Sequence, residues 1–187
     1  MKNYIVPHVF FTALLTIFFF QTTKAESTWS PAKEGNKIIL IRHSIAPGGG
    51  DPPGFKINDC KTQRNLSQEG INQSKKIGKL FLKNKVKIDQ VLTSQWCRCK
   101  DTAKYAFTSF KEFSALNSTF QSPYDKNEIK QIKEIKSFIK KWNGKGKNLI
   151  LITHYSIIAA VTNAFPSSGE IVITDKNFNI LSTIPTN

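Results

Sequence analysis

Residues 37–55, KIILIRHSIAPGGGDPPGF, place four consecutive apolar residues, Ile38 to Ile41, directly before Arg42 and His43. A short apolar run with several β-branched residues is typical of a buried strand. A buried strand that ends in a cation and an imidazole is unusual, because burying a charge is costly unless the charge has a partner. The stretch therefore predicts that polar chemistry begins where the first strand of the fold ends.

The overall composition is that of a globular protein, but the first residues are an exception. The chain has 187 residues, of which 40% are hydrophobic and 21% charged. Within residues 1–25, Lys2 precedes the apolar run VFFTALLTIFFF, and small residues lead to Ala25. This pattern predicts a secretory signal peptide that is cleaved after Ala25, with an uncleaved membrane anchor as the alternative. We therefore expect residues 26–187 to form one exported domain, most simply a periplasmic one without stable membrane insertion.

The chain is strongly basic, with a formal net charge of +14. Such a surface attracts phosphorylated ligands, anionic lipids or nucleic acid, although a solvated, solubilising surface explains the charge equally well. Many lysines fall in residues 127–142, where isoleucines recur at helical spacing from Ile129 to Ile139. The lysines then form a solvated helix face. Because basic and aromatic residues are not interleaved as in single-strand-binding proteins, we expect no nucleic-acid partner.

Strand and helix patterns alternate along the chain. Strands are predicted at residues 38–41, 90–94, 148–153, 170–174 and 179–184, and helices at residues 66–84, 98–109, 127–142 and 155–165. Ser67 is the predicted N-cap of the first of these helices, and Pro166 is predicted to end the last. The alternation predicts a three-layer α/β/α fold with a mostly parallel central sheet.

The ends of the predicted strands carry the polar residues of interest. In open α/β sheets, ligands bind beyond the carboxyl ends of the strands. Beyond residue 25 the sequence has two histidines, His43 and His154, and each lies just past the end of a predicted apolar strand. Arg42 ends the first strand, and Arg98 follows the second strand by a few residues. Positive charges brought together at one edge are costly unless an anion binds there, and arginine suits phosphate geometrically. The sequence therefore predicts an anion site.

Four segments together resemble the histidine phosphatase superfamily, whose fold is phosphoglycerate mutase-like. They are LIRHS (40–44), NLSQEG (65–70), TSQWCRCKDTA (93–103) and ITHY (152–155), in the order and at the spacing typical of that family. The resemblance covers roughly residues 37–175. The segments APGGGDPPGF, DCKTQRNLS and ALNSTF further resemble an exported bacterial subgroup.

The resemblance implies a role for each strand-end residue. His43 would be the nucleophile that attacks phosphorus and forms a phosphohistidine. Arg42, Arg98 and His154 would bind the phosphoryl oxygens and stabilise the transition state. No metal or other cofactor is implied. The expected activity is hydrolysis of phosphomonoesters, and the expected partner is a phosphorylated small molecule or cell-envelope component.

Three further residues are candidate substrate contacts. Ser44 and Tyr155 stand where the family usually has the glycine that follows each catalytic histidine. Each side chain would either narrow the pocket, add a hydroxyl contact or serve packing alone. Arg64 precedes the helix that starts near Ser67, whose N-terminus favours anions. Arg64 is therefore a candidate contact, although a surface arginine is an equal alternative.

The acid that would protonate the leaving group is unassigned. Relatives of the mutases carry a glutamate in the segment that matches ALNSTF, where this chain has Asn117 and Ser118. Asp51, Asp59 and Glu170 are the candidates that remain. The loop before residues 170–174 should border the site by the strand-end rule, which favours Glu170. An acid is unnecessary if the leaving group departs readily by itself.

An exported chain can form disulfides, and the sequence has three cysteines, Cys60, Cys97 and Cys99. Cys97 and Cys99 are too close in sequence for an easy mutual bridge, so a bridge from Cys60 to one of them is expected. The family position that matches Cys99 is usually small and buried, which favours Cys97 as the partner. Zinc binding is the alternative, but three scattered thiols are a weak metal signal.

Two other functions compete with an exported phosphatase. The first is a pseudoenzyme that binds a phosphorylated ligand, which the missing acid favours and the complete set of arginines and histidines opposes. The second is a phosphotransferase or mutase acting on sugar phosphates, which the predicted export opposes. The sequence does not indicate an oligomeric state.

Overall fold

The computed structural model describes residues 27–187, so the predicted signal peptide lies outside the described residues. One six-stranded sheet has the order β3-β2-β4-β1-β5-β6. The pairs from β3 to β1 are parallel, whereas β5 is antiparallel to both of its neighbours. The strands are β1 (Ile38–Arg42), β2 (Ile88–Thr93), β3 (Lys111–Glu112), β4 (Asn148–Thr153), β5 (Ile171–Thr174) and β6 (Ile180–Ile184). The prediction of a mostly parallel sheet is therefore confirmed.

Five helices accompany this sheet: α1 (Ser30–Glu34), α2 (Gln68–Lys83), α3 (Cys97–Ala106), α4 (Glu128–Lys141) and α5 (Tyr155–Thr162). Successive side chains of a strand point to opposite faces, and β1 is buried on both. Ile39 and Ile41 belong to one apolar cluster with residues of α2 and α3. Ile38 and Leu40 belong to a second cluster with residues of α4 and α5. The three-layer α/β/α architecture is thus also confirmed.

The ends of the helices differ from the predicted ones in several places. Ser67 caps α2 as predicted, since its Oγ accepts a hydrogen bond from the N–H of Gly70 at 3.1 Å. The last helix ends at Thr162, before Pro166, because Asn163 adopts a left-handed conformation with φ of 59°. Helix α3 ends at Ala106, three residues before the predicted end.

Two elements of the structure were not predicted. Helix α1 is a single short turn, and β3 pairs with the end of β2 through only two residues. Ile129 of the predicted apolar stripe is 87% exposed, whereas Ile135 and Ile139 are buried against the sheet. Among residues 27–187, no helix has the length and apolar character needed to cross a membrane.

Candidate active site

The candidate nucleophile directly follows the central strand β1. His43 is only 3% exposed, and its Nδ1 lies 2.8 Å from the backbone oxygen of Ser44. Because a carbonyl oxygen can only accept, Nδ1 carries the proton and Nε2 keeps its lone pair. Burial, followed by the positive charge of Arg98, holds the pKa of His43 well below its ordinary value. His43 is thus a neutral imidazole with an unprotonated nitrogen available for attack.

The second histidine lies between the end of β4 and the start of α5. The ring centroids of His154 and His43 are 5.4 Å apart. His154 Nε2 lies 2.9 Å from Ser94 Oγ, which in turn lies 3.2 Å from Asn117 Oδ1. Since Asn117 Oδ1 only accepts, the Ser94 hydroxyl donates to it and accepts the N–H of His154 Nε2. Burial and the charge of Arg98 hold the pKa of His154 well below its ordinary value.

Three arginines line the same cavity as the two histidines. Arg42 ends β1, Arg98 lies in the first turn of α3, and Arg64 lies in the loop before α2. Arg42 Nη1 donates to the carbonyl of Pro166 at 2.9 Å, and Arg64 Nε donates to the carbonyl of Gly50 at 2.7 Å. Burial lowers the pKa of Arg42 and Arg64, and the charge of Arg98 lowers both further. The fold therefore holds three guanidinium groups close together at a cost in desolvation.

A single carboxylate offsets part of this charge within the cavity lining. Asp51 Oδ1 lies 2.7 Å from Arg98 Nη1, and Asp51 Oδ2 lies 3.1 Å from Arg98 Nη2. The indole N–H of Trp96 also donates to Asp51 Oδ2, at 2.8 Å. Burial alone would raise the pKa of Asp51, but the hydrogen bonds and charge of Arg98 lower it overall. Asp51 is therefore an ionised partner that holds the Arg98 side chain in place.

The cavity formed by these residues has a volume of about 290 Å³. We call the arginines, the histidines and Asp51 its polar floor. The rest of the lining consists of Gly48 to Gly50, Ser118, Phe120, Gln121, Tyr155 and Ser156. Nε of Arg42 and Nε of Arg98 are buried without an acceptor in the described part of the chain. A bound oxyanion is the kind of ligand that would supply acceptors here.

The structure does not bring the favoured acid candidate into this cavity. The carboxylate of Glu170 accepts a hydrogen bond from the N–H of Ser167 at 2.8 Å, which closes the turn before β5. The carboxylate of Asp59 accepts from the N–H of Lys61 at 3.1 Å and caps a short 3₁₀ turn on the exposed surface. Asp51 lines the cavity but is ionised. The rule that ligands bind beyond strand ends predicted that the loop before β5 lies near the site. It did not predict where the Glu170 side chain points.

The three candidate substrate contacts have different positions. Arg64 and Tyr155 line the cavity, and the guanidinium carbon of Arg42 lies 5.6 Å from the Tyr155 ring centroid. Ser44, by contrast, is fully buried, and its Oγ lies 2.8 Å from Ser74 Oγ of α2. Because the single O–H of Ser74 donates to the carbonyl of Gly70, Ser44 is the donor of this bond. The expected hydroxyl contact from Ser44 is therefore wrong, because this side chain packs between the sheet and α2.

Cys60 is bonded to Cys97 in the structure, with Cα atoms 5.7 Å apart. Cys60 begins a 3₁₀ turn in the loop after the nucleophile, and Cys97 is the first residue of α3. The bridge thus ties that loop to the helix that carries Arg98. Cys99 is free and buried, and burial raises its pKa to about 12, which makes the thiol unreactive. Within residues 27–187 no cluster of three or more His, Cys, Asp or Glu side chains could hold a metal ion.

Two aromatic residues of the cavity and its surroundings were not predicted from the sequence. Phe120 belongs to the ALNSTF segment, and it lines the cavity. Trp96 binds Asp51, and its ring centroid lies 5.4 Å from that of His154. Neither residue stands in a periodic pattern, so only the quoted motifs around them could have drawn attention to them.

Solved structures with the same architecture resemble this chain, although no protein-family model and no curated protein matches it. The protein histidine phosphatase SixA complexed with tungstate has a TM-score of 0.55 at 15% identity, covering 79% of this chain and 96% of that one. A phosphoglycerate mutase from Thermus thermophilus has a TM-score of 0.55 at 16% identity, covering 81% and 99%. The protein TTHB049 from the same organism has a TM-score of 0.57 at 16% identity, also covering 81% and 99%. The chain therefore has the phosphoglycerate mutase-like fold of the histidine phosphatases, as its four motifs predict.

Proposed function

We propose that the protein is a phosphatase that hydrolyses phosphomonoesters through a phosphohistidine on His43. The observation that carries this proposal is a neutral His43 in a cavity that Arg42, Arg64 and Arg98 also line. Three guanidinium charges against the single charge of Asp51 leave an excess of two positive charges. A phosphate monoester carries between about 1.5 and 2 negative charges at pH 7, so the charges match.

The chemistry then takes two steps at phosphorus. The Nε2 lone pair of His43 attacks, and the bond from phosphorus to the leaving oxygen breaks. The Nδ1 hydrogen bond to Ser44 stabilises the imidazole as it becomes positive. Water then attacks the phosphohistidine, which releases phosphate and restores the lone pair on Nε2. Arg42 and Arg98 stabilise the charge on the phosphoryl oxygens in both steps.

Phosphate release from acetyl phosphate by the full-length protein tests this function. Acetyl phosphate has a good leaving group and no ring, so it needs neither an acid nor a shaped pocket. We expect turnover by the wild type and a loss of more than about 1,000-fold in His43→Asn, because the covalent step is lost. Near-normal turnover by His43→Asn would overturn the proposal. Binding of phosphate without turnover would favour the pseudoenzyme, and an isomerised product from a sugar phosphate would favour the mutase.

We further propose that residues 1–25 direct export and are removed after Ala25. The motif resemblance to an exported subgroup and the Cys60–Cys97 bridge support this proposal, since disulfides persist in oxidising compartments. N-terminal sequencing of protein taken from the cell envelope should then begin at Glu26. An intact N-terminus on membrane-bound protein would favour an anchor instead.

A further inference from the structure

Two exposed aromatic side chains line the cavity, and a third lies beside one of them. Phe120 and Tyr155 line the cavity and are 65% and 37% exposed. Phe165 is 73% exposed, and its ring centroid lies 5.8 Å from that of Tyr155. The four other exposed large apolar residues of the described chain are aliphatic. We call Phe120, Tyr155 and Phe165 the aromatic mouth. Exposed apolar groups gathered at a cavity mark a binding surface more often than chance packing.

Each polar side chain beside the aromatic mouth already accepts one hydrogen bond from the backbone. Gln121 Oε1 accepts the N–H of Asp51 at 3.0 Å, and Ser118 Oγ accepts the N–H of Phe120 at 3.3 Å. Ser156 Oγ accepts the N–H of Thr119 at 3.2 Å. A flat, apolar ring needs only the aromatic faces.

The chemistry of the floor points to the same kind of ligand. Asp51 is the only carboxylate among the described residues that line the cavity, and Arg98 and Trp96 hold it. A leaving oxygen therefore finds no carboxylic acid there. A phenol, with a pKa of about 10, departs as an anion far more readily than an aliphatic alcohol, whose pKa lies near that of water at about 15.7.

We propose, resting on the phosphatase function above, that the aromatic mouth binds the ring of an aryl leaving group and that the substrates are aryl phosphate monoesters. Arg42 lies beside both the phosphoryl position and the Tyr155 ring, so a ring attached directly to the ester oxygen reaches the aromatic mouth. His43 Nε2 bonds to phosphorus, and the aryl oxide leaves with the electron pair of the broken bond. Solvent supplies its proton.

Three substrates, assayed with the full-length protein, distinguish the effect of the ring from the effect of the leaving group. Phenyl phosphate has both the ring and a phenol leaving group, benzyl phosphate has the ring on an alcohol, and acetyl phosphate has a good leaving group without a ring. We expect kcat/KM for benzyl phosphate to be at least about 100-fold below that for phenyl phosphate, because kcat/KM reports the step in which the leaving group departs. We expect Phe120→Ala to lower kcat/KM for phenyl phosphate relative to acetyl phosphate by roughly 3- to 10-fold.

The control variant is Leu82→Ala, an exposed apolar residue of α2 that does not line this cavity. It should leave the ratio of the two kcat/KM values unchanged. Equal kcat/KM for benzyl and phenyl phosphate would overturn the leaving-group part, and an unchanged ratio in Phe120→Ala and in Phe165→Ala would overturn the ring site. Either result leaves the phosphatase function intact if acetyl phosphate is hydrolysed through His43. Failure to hydrolyse acetyl phosphate would overturn the function and this inference together.

Discussion

The two walls of the cavity are built in different ways. One wall, which we call the strand-end wall, consists of three residues at the ends of β1 and β4 in the middle of the sheet: Arg42 is the last residue of β1, and His43 and His154 directly follow the two strands. The other, which we call the loop wall, is the segment 46–64. Arg64 holds this segment through hydrogen bonds to the carbonyls of Ala46 and Gly50, and the Cys60–Cys97 bridge holds it to α3.

This difference in construction gives the two walls different roles: the strand-end wall carries the reacting groups, and the loop wall supports the cavity. The strand-end wall is fixed because β1 and β4 pair with a strand on either side and are packed by apolar residues on both faces of the sheet, so its groups need no local device to hold them. The loop wall has no strand pairing with the sheet. Phe55 and Ile57 pack against the core, and polar bonds and one covalent link hold the rest of the segment. Gly48 and Gly50 have φ of 88° and 66°, a conformation that side chains rarely adopt. We therefore expect damage to the strand-end wall to remove activity, and damage to the loop wall to reduce stability first.

The largest contrast is expected between Arg42→Met and Arg64→Met. Arg42 has an unpaired Nε beside the nucleophile, and loss of one such donor costs about 100- to 1,000-fold in kcat. The Arg64 guanidinium donates hydrogen bonds to carbonyls of the loop. The kcat of Arg64→Met should therefore fall by no more than about 10-fold, but the variant should unfold at a lower temperature. Acetyl phosphate kinetics and thermal melts of both variants measure this. Equal losses of activity would make Arg64 an equal member of the phosphate clamp.

The next effect concerns the bridge in the loop wall. The linked cysteines are 37 residues apart in sequence, and a closed loop of that length stabilises the fold by about 3–4 kcal/mol in the chain-entropy model. Cys60→Ser should lower the free energy of unfolding by up to this amount in protein purified without reductant. Wild type in reductant should behave like the variant.

Cys99→Ser is the matched control for the bridge, because Cys99 is free. This variant should still lose stability when reductant is added. If Cys60→Ser and the oxidised wild type unfold at the same denaturant concentration, the bridge does not support the loop wall.

A smaller effect is expected from pH, and it belongs to the strand-end wall. The folded pKa values of His43 and His154 lie well below the unfolded value of about 6.5. The unfolded chain therefore binds protons that the folded chain rejects as pH falls below 6.5. Stability should be full above this pH and fall below it by up to about 2.7 kcal/mol per pH unit for two histidines.

Denaturant unfolding between pH 7 and pH 5 measures this slope. His43→Asn should reduce it by about half, because one of the two titrating groups is gone. If the free energy of unfolding of the wild type did not change over this range, the folded state would bind as many protons as the unfolded state. That result would contradict a neutral His43 in the folded protein.

The strand-end wall could be predicted from sequence and the loop wall largely could not. Apolar runs fix the strands, and parallel strands end at one edge, which brings His43, Arg98 and His154 together without any knowledge of side chains. The pairing of Asp51 with Arg98 joins side chains 47 residues apart across an irregular loop, and no periodic pattern encodes it. Glu170 shows the same limit. The sequence predicted the position of its backbone next to β5, but it did not predict that its carboxylate accepts the N–H of Ser167.

Helix α4 gives a second example of what periodicity can and cannot predict. The spacing of its isoleucines identified the buried face that includes Ile135 and Ile139, but Ile129 on the first turn is exposed. Periodicity gives the direction of a side chain and does not show where the neighbouring layer ends. The two-residue strand β3 was missed because two residues carry no alternating pattern.

Covalent trapping of the phosphoryl group tests the central claim most directly. Wild-type protein would be mixed with ³²P-labelled acetyl phosphate, quenched in alkali within milliseconds and digested for peptide mapping. The account predicts an acid-labile, alkali-stable label on the peptide that contains His43, and no label in His43→Asn. Label on His154, or an acid-stable label on a serine, would contradict the assignment of His43 as the nucleophile.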